Sequence, residues 1–327
     1  MEYRKMPTTS LNLSALSLGT MQFGGQTSEA DSLAIMDCAF ERGINVFDTA
    51  NVYLTGESER VVGKALKGRR DKIILATKVG NKMGEGPNTS GLNRSHIMYE
   101  VDASLKRLDT DYIDIYYMHT PDYDTELEET LGTMDILVKA GKIRYIAVSN
   151  YAAWQMADML AICEKRNYIK PVICQVVYNL ITRGIEAELT PFLKKHNIGM
   201  FVYNPIAGGL LTGKHKAGVP AEGTRFAEGH KQSKNYFSRY WTDENFAAVE
   251  KLKGIAGECG MNILQLSLKW CAQQEMVSSV LVGVSRLSQL EQNISSLEEG
   301  GKLDKQTLDK CDEIWRSLAG NRFAYNR

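Results

Sequence analysis

Short apolar runs alternate along the chain with longer segments whose apolar residues recur at helical spacing. The runs are Ala15–Leu18, Asn45–Phe47, Ile73–Thr77, Ile113–Met118, Tyr145–Val148, Val172–Val176, Ile198–Tyr203 and Ser279–Val282. Near-continuous apolarity of this length reads as parallel strands buried on both faces. Ser28 or Asp31 starts the first helix and Gly43 ends it. Ser95 caps a helix with Ile97, Val101, Leu105 and Leu108 on one face. Leu127, Leu131, Met134 and Val138 make the next stripe, which Gly141 stops, and Leu287, Leu290, Ile294 and Leu297 make the last. This alternation predicts an α/β chain closed into a (β/α)₈ TIM barrel. Three segments depart from the repeat. Tyr3–Ser14 reads as an N-terminal hairpin over the closed end of the barrel. His215–Trp241 is a long loop after the seventh strand, of the kind used for lids and binding. Asp304–Leu318 reads as an added C-terminal helix, followed by the tail Ala319–Arg327. No linker or low-complexity tract interrupts the chain, so residues 1–327 are expected to form one barrel domain.

Composition narrows the functional classes. A chain of 327 residues with 43% hydrophobic content suits one barrel with additions. Lys+Arg and Asp+Glu are both 39, which argues against general binding of nucleic acid or anionic membrane. No apolar run approaches the roughly 20 residues of a membrane span, and Met1-Glu2-Tyr3-Arg4-Lys5 lacks the apolar stretch of a signal peptide. Cys38, Cys163, Cys174, Cys259, Cys271 and Cys311 are scattered, without the close spacing of metal ligands. Reduced thiols in a cytoplasmic protein are the expectation.

Four residues carry the chemistry. Asp48, Lys78 and His119 each follow a strand-like run, and Tyr53 lies in the loop just past Asp48. Taken singly, Asp48 reads as a cap, His119 as a structural histidine and Tyr53 as a packed aromatic. At the ends of successive strands they converge on the end of the barrel where such folds do chemistry. A phenol, an ammonium, a carboxylate and an imidazole at one place make a proton-transfer site. The phenol's ordinary pKa is about 10; a neighbouring Lys is expected to lower it, and the carboxylate to balance the buried ammonium.

The run Val46-Phe47-Asp48-Thr49-Ala50-Asn51-Val52-Tyr53 with Gly56 and Glu59, then Ala-Thr-Lys78-Val and Tyr-Met-His119, resembles the aldo-keto reductase signature. The resemblance continues through Ser149-Asn150, Gln175, the stretch from Tyr203 to Lys214, and Gly283-Val284-Ser285 with Gln289, Gln292 and Asn293. The wording after the seventh strand is similar to the branch containing bacterial aldo-keto reductases and potassium-channel β subunits. Those subunits have Asn where the catalytic His would stand, so His119 favours an enzyme. The resemblance implies reduction of a small carbonyl or sugar substrate by hydride from NAD(P)H, with Tyr53 as general acid, Lys78 and Asp48 tuning it, and His119 orienting the carbonyl. It implies no Rossmann fold, and no G-x-G-x-x-G follows a strand.

The same resemblance assigns cofactor contacts. Thr20, Met21 and Gln26 line the stretch after the first strand. Asp48, Ser149, Asn150 and Gln175 meet the nicotinamide end, where Tyr203 stacks. Asn204, Pro205, Ile206, Ala207, Gly208 and Leu210 follow it. Lys214 and Arg225 are candidates for the phosphates, with Gly283, Ser285, Arg286, Gln289, Gln292 and Asn293 at the start of the last barrel helix. Gly283 and Gln289 stand where many relatives are basic. Arg225 and Arg286 nevertheless favour NADP(H), with NAD(H) as the alternative cofactor. Tyr236, Phe237, Tyr240 and Trp241 either line the substrate site or anchor the long loop. Lys67-Gly68-Arg69-Arg70 reads as a solvated helix end. Two other functions stand beside the reductase: an NAD-dependent sugar or aldose dehydrogenase, and a slow-turnover redox-sensing module. Substrate identity depends on loop shape, and the pattern sets no oligomeric state.

Overall fold

A computed structural model describes residues 1–319 other than 221, 223 and 228–232. The tail from residue 320 and those parts of the long loop lie outside the described residues. Ten strands are present among them. β1 (Tyr3–Lys5) and β2 (Asn12–Ser14) pair antiparallel. The remaining eight are β3 (Leu16–Gly19), β4 (Val46–Asp48), β5 (Ile74–Val79), β6 (Ile113–Met118), β7 (Ile143–Ser149), β8 (Ile173–Val177), β9 (Gly199–Tyr203) and β10 (Val277–Gly283). They pair in parallel in chain order, and β10 closes on β3 to complete a barrel. The expected (β/α)₈ barrel is the fold.

Strand alternation sorts the side chains into two layers. One residue set, including Val46, Ile74, Ala76, Ile115, Tyr117, Ala147, Ile173 and Phe201, packs inside the barrel. Met6 and Leu13 from the hairpin belong to this interior set, so the hairpin plugs the end opposite the strand C-termini, as expected. The alternate residues, such as Phe47, Leu75, Tyr116 and Val148, pack outward against the helices. Asp48, Lys78 and Gln175 share the inward register of Val46, Ala76 and Ile173. Two-residue periodicity is therefore what brings these polar groups together at one end.

The helices are α1 (Glu29–Glu41), α2 (Glu57–Leu66), α3 (Arg94–Leu108), α4 (Leu127–Lys139), α5 (Ala153–Arg166), α6 (Leu189–Lys195), α7 (Ser233–Tyr240), α8 (Asp243–Glu258), α9 (Ile263–Gln273), α10 (Leu287–Glu298) and α11 (Lys305–Ala319). Ser28 is the cap of α1, its hydroxyl accepting from the Asp31 N–H at 3.1 Å. The cap of α3 is Asn93, not Ser95: the Asn93 side chain accepts from the His96 N–H at 2.9 Å. Asn serves an N-cap as well as Ser does, so two cap-capable residues on either side of Arg94 leave the boundary open. The segment expected as a long loop after β9 carries α7, and α8 and α9 precede β10 without having been foreseen. The added helix is α11. Arg183 anchors it, donating to Asp312 at 2.7 Å and to Glu186 at 2.8 Å. No helix among the described residues is long and apolar enough to cross a membrane.

α2 and α3 approach closely at Gly63, where a methyl group would lie 2.7 Å from the Leu108 carbonyl oxygen. In an open helix Gly→Ala stabilises by about 1 kcal/mol. Here the neighbour is backbone and overpacking wins. Gly63→Ala is expected to destabilise the fold by about 1–3 kcal/mol, read as a lowered urea midpoint. An unchanged or raised midpoint would show that α2 can shift freely.

Candidate active site

At the C-terminal end of the barrel lies a cavity of about 660 Å³. Its floor is built from strand ends. β4 ends in Asp48, the chain leaving β6 begins with His119, β7 ends in Ser149, and β9 ends in Tyr203. Asp48, Tyr53, His119, Ser149, Asn150 and Gln175 all line it. Lys78, fully buried in β5, lies directly beneath.

The buried charges are paired. The Lys78 ammonium donates to Asp48 Oδ1 and, at 2.7 Å, to the Thr49 carbonyl. Gln175 donates to Asp48 Oδ2 at 2.9 Å. An ion pair taken out of water is tolerable only when its remaining hydrogen-bonding capacity is met this way. The Lys78 nitrogen also sits 5.1 Å from the centre of the Tyr53 ring. The Asp48 carboxylate and the Tyr53 phenol hold its pKa above the ordinary value, outweighing burial, which pulls the other way. For Tyr53 the balance corrects the expectation. Burial raises the phenol's pKa, and the Lys78 ammonium only partly offsets it. The phenol therefore rests protonated, ready to give a proton.

Tyr53 and His119 meet edge to face, ring centres 5.9 Å apart. Burial, and then the Lys78 charge, push the His119 pKa down to about 3. The imidazole is neutral at ordinary pH. Asn81 Nδ2 lies 2.9 Å from its Nδ1.

The loop carrying Tyr53 is held from behind. Thr20 donates to the Asp48 carbonyl at 3.0 Å, and Ser58 donates to the Thr20 carbonyl at 2.8 Å and shares a hydrogen bond with Thr49. Arg107 donates to buried Glu59 at 2.6 Å and to Glu100 at 3.2 Å. Glu59 in turn accepts from Thr77 at 2.6 Å, and Glu100 from Asn51 at 3.0 Å. Leu54 and Thr55, immediately after Tyr53, take left-handed φ values of 50° and 55°. Such residues cost of order 1–3 kcal/mol each and persist where surrounding structure over-determines them. Nothing in the local sequence signalled this strain or the Arg107 network.

Several residues assigned by resemblance to cofactor contacts line the same cavity: Thr20, Met21, Gln26, Tyr203, Asn204, Arg225 and Gly283. The Tyr203 hydroxyl donates to Asn150 Oδ1 at 2.7 Å, which fixes the ring in the wall. Arg225 donates to the Tyr236 hydroxyl at 3.1 Å and reaches over toward Gly283. Others are not in the lining. Pro205, Ile206, Ala207, Gly208 and Leu210 form a tight turn, in which Ala207 and Leu210 are fully buried. The N–H groups of Ala207 and Gly208 already bond the Asn204 carbonyl and side chain. Lys214 is exposed away from the cavity. Ser285, Arg286, Gln289 and Gln292 are exposed beyond its edge, and Asn293, within α10, is buried. Gln289 folds back to accept from the Ser285 N–H at 2.9 Å, occupying a donor that an anion would use.

The long loop contributes more than was assigned to it. Of the four aromatics at its C-terminal end, Tyr236 lines the cavity together with Asn235 and Arg239. Tyr240 instead accepts from Asn204 at 3.0 Å. Trp241 packs on His215, Phe226, Phe237 and Phe246. Asn81, Thr120 and Gln22 also line the cavity. These polar loop residues have no periodic signature and were missed.

A nicotinamide dinucleotide fits this donor set. A rigid aromatic ring, the amides of Asn150 and Gln175 and the Ser149 hydroxyl adjoin one another, with Arg225 farther along the wall. Together with the closed barrel and the strand-end constellation, the comparisons define the class. The chain matches the aldo/keto reductase family over residues 15–316. It is 35% identical over 322 residues to a probable voltage-gated potassium channel subunit beta of Arabidopsis thaliana, covering 97% of each chain. It is 34% identical over 318 residues to aflatoxin B1 aldehyde reductase member 2 of Rattus norvegicus, covering 92% of this chain and 84% of that one. With L-glyceraldehyde 3-phosphate reductase of Escherichia coli O157:H7 it shares 33% identity over 332 residues, covering 97% and 95%. The chain belongs to the aldo/keto reductase family, a family of oxidoreductases.

The buried histidines set an acid limit on stability. His119 is depressed to about 3 and His215, buried among aromatics beside Lys214, to about 4. Unfolded, both return to about 6.5. Between these values the unfolded chain binds more protons, so stability present above about pH 6.5 is lost as pH falls. Each contributes a slope of up to about 1.4 kcal/mol per pH unit. His119→Gln is expected to flatten the fall in urea stability between about pH 6 and 4 by one proton's worth. The same slope in parent and variant would contradict a neutral, buried His119.

Proposed function

We propose that this protein is an NAD(P)H-dependent reductase of small aldehydes or ketones, with Tyr53 as the general acid and NADPH as the preferred cofactor. The observation that carries the reading is the protonated Tyr53 phenol, beside neutral His119 and above the Lys78–Asp48 pair, facing one cavity. When bound, the cofactor supplies the hydride. Tyr53 gives its proton to the carbonyl oxygen as negative charge builds there. Lys78 stabilises the phenolate left behind, and Asp48 keeps Lys78 charged and in place. His119 fixes the carbonyl by a hydrogen bond. Tyr203 stacks the nicotinamide, and Ser149, Asn150 and Gln175 meet its carboxamide. Arg225 on the cavity wall and Arg286 at the cap of α10 favour a 2′-phosphate, for which Arg's forked donors are suited. Asn81, Thr120, Asn235 and Arg239 make the wall polar, which suits a hydrophilic carbonyl compound. The names of the rat and Escherichia coli relatives, an aldehyde reductase and a phosphorylated-aldehyde reductase, agree with that substrate class.

Tyr53→Phe keeps the ring and deletes the donor. Carbonyl reduction by this variant is expected to fall by about 10²–10⁴-fold, while NADPH quenches its fluorescence with the parent's affinity. In the same titrations NADPH should bind the parent more tightly than NADH, and Arg225→Ala should narrow that gap. Parent-like turnover would remove Tyr53 from the acid role, and tighter NADH binding by the parent would favour an NAD-dependent dehydrogenase.

A further inference from the structure

We infer that Asn81 is a positioning residue that selects the tautomer of His119, so that the imidazole presents its Nε2–H, a donor, to the substrate carbonyl. The inference rests on the reductase reading and concerns the hydrogen bond behind the ring. Asn81 Nδ2 lies 2.9 Å from His119 Nδ1. With the amide N–H₂ turned to the ring as the donor, Nδ1 accepts and the ring's single proton resides on Nε2. Were the proton on Nδ1, Nε2 would turn a lone pair toward the carbonyl oxygen and repel it.

Asn81 is held for this purpose. It follows Gly80, whose φ of +132° turns the chain out of β5. The Gly80 carbonyl accepts from the Gly91 N–H at 2.8 Å. The Asn81 carbonyl lies 3.3 Å from Nε2 of buried His96. On the other strand, the His119 N–H is bonded to the Val79 carbonyl at 2.8 Å and its own carbonyl accepts from Asn150 at 3.2 Å. Both partners are thus fixed through their backbones, and only the side-chain contact remains to decide the tautomer. The groups facing the ring are the Tyr53 phenol, the Lys78 ammonium and the Asn81 amide. None is a carboxylate that would draw a proton onto Nδ1; Asp48 is taken by Lys78 and Gln175.

The test combines a spectroscopic and a kinetic readout on the full chain. In ¹⁵N-histidine-labelled protein, His119, assigned by its loss in His119→Gln, should show the Nε2–H tautomer at neutral pH. Asn81→Leu, which removes the donor, should mix the two tautomers and lower kcat/KM for an aldehyde by about tenfold, the scale of one hydrogen bond, with NADPH affinity unchanged. Asn81→Asp places an acceptor behind the ring and should move the proton to Nδ1. Its activity should then gain a new limb, rising as pH falls and the imidazolium restores a proton on Nε2; the parent should lack that limb. An Nδ1–H tautomer in the parent, or an Asn81→Leu variant with parent-like tautomer and rate, would overturn the inference. Loss of the Tyr53 acid role with these tautomer shifts intact would instead break only the reductase mechanism.

Discussion

Everything at the open end of the barrel depends on one buried ion pair. Lys78 and Asp48 come from adjacent strands and point inward, almost wholly withdrawn from water. Stripping two such charges of solvent costs several kcal/mol per ion, and their attraction offsets this only with good geometry and further hydrogen bonds. Those bonds come from Thr49 and from Gln175 across the barrel. The pair therefore ties β4, β5 and β8 into one arrangement. Burial outweighs the ammonium's pull on Tyr53, so the phenol stays protonated at rest; under the proposed acid role the same ammonium would stabilise the phenolate as the proton leaves.

A second polar layer lies outside the strands and serves the same end. Arg107 on α3 gathers Glu59 from α2 and Glu100 from its own helix, and through them reaches Thr77 and Asn51. The hydroxyls of Thr20, Thr49 and Ser58 close the other side. The Tyr53 loop is clamped between these networks, which is what allows the left-handed residues after it to persist. Preorganisation of this kind would spare the phenol a reorientation in the proposed proton transfer.

The parts of this arrangement differ in how far the sequence discloses them. The barrel strands are legible because burial on both faces forces long apolar runs, and Asp48, Lys78 and His119 are legible because each interrupts or ends such a run. α8 and α9 fall outside the strand–helix alternation, because three helices, α7, α8 and α9, lie between β9 and β10. Whether Ser95 or Asn93 caps α3 turns on a backbone angle that either residue accepts. The direction of the Tyr53 shift is a contest between burial and charge that needs three-dimensional distances. For the turn after β9, the order of residues identified the family but not which side chains face the cavity; Ala207 and Leu210 are buried because they shape the turn. Asn81 and Arg107 act through partners about 40 and 50 positions away in the chain, beyond the reach of local pattern.

The account's central claim is that Asp48 and Lys78 act on Tyr53 as a unit. A double-mutant cycle with Asp48→Asn and Lys78→Met tests it most directly, read in kcat/KM for aldehyde reduction and in urea stability. Lys78→Met alone strands a buried carboxylate and should be the least stable of the set. Adding Asp48→Asn removes that charge, so the double variant should recover stability and be no slower than Lys78→Met. Losses in rate that multiply, with stability falling further in the double variant, would mean that the two residues act independently and that the pair is not the basis of the site.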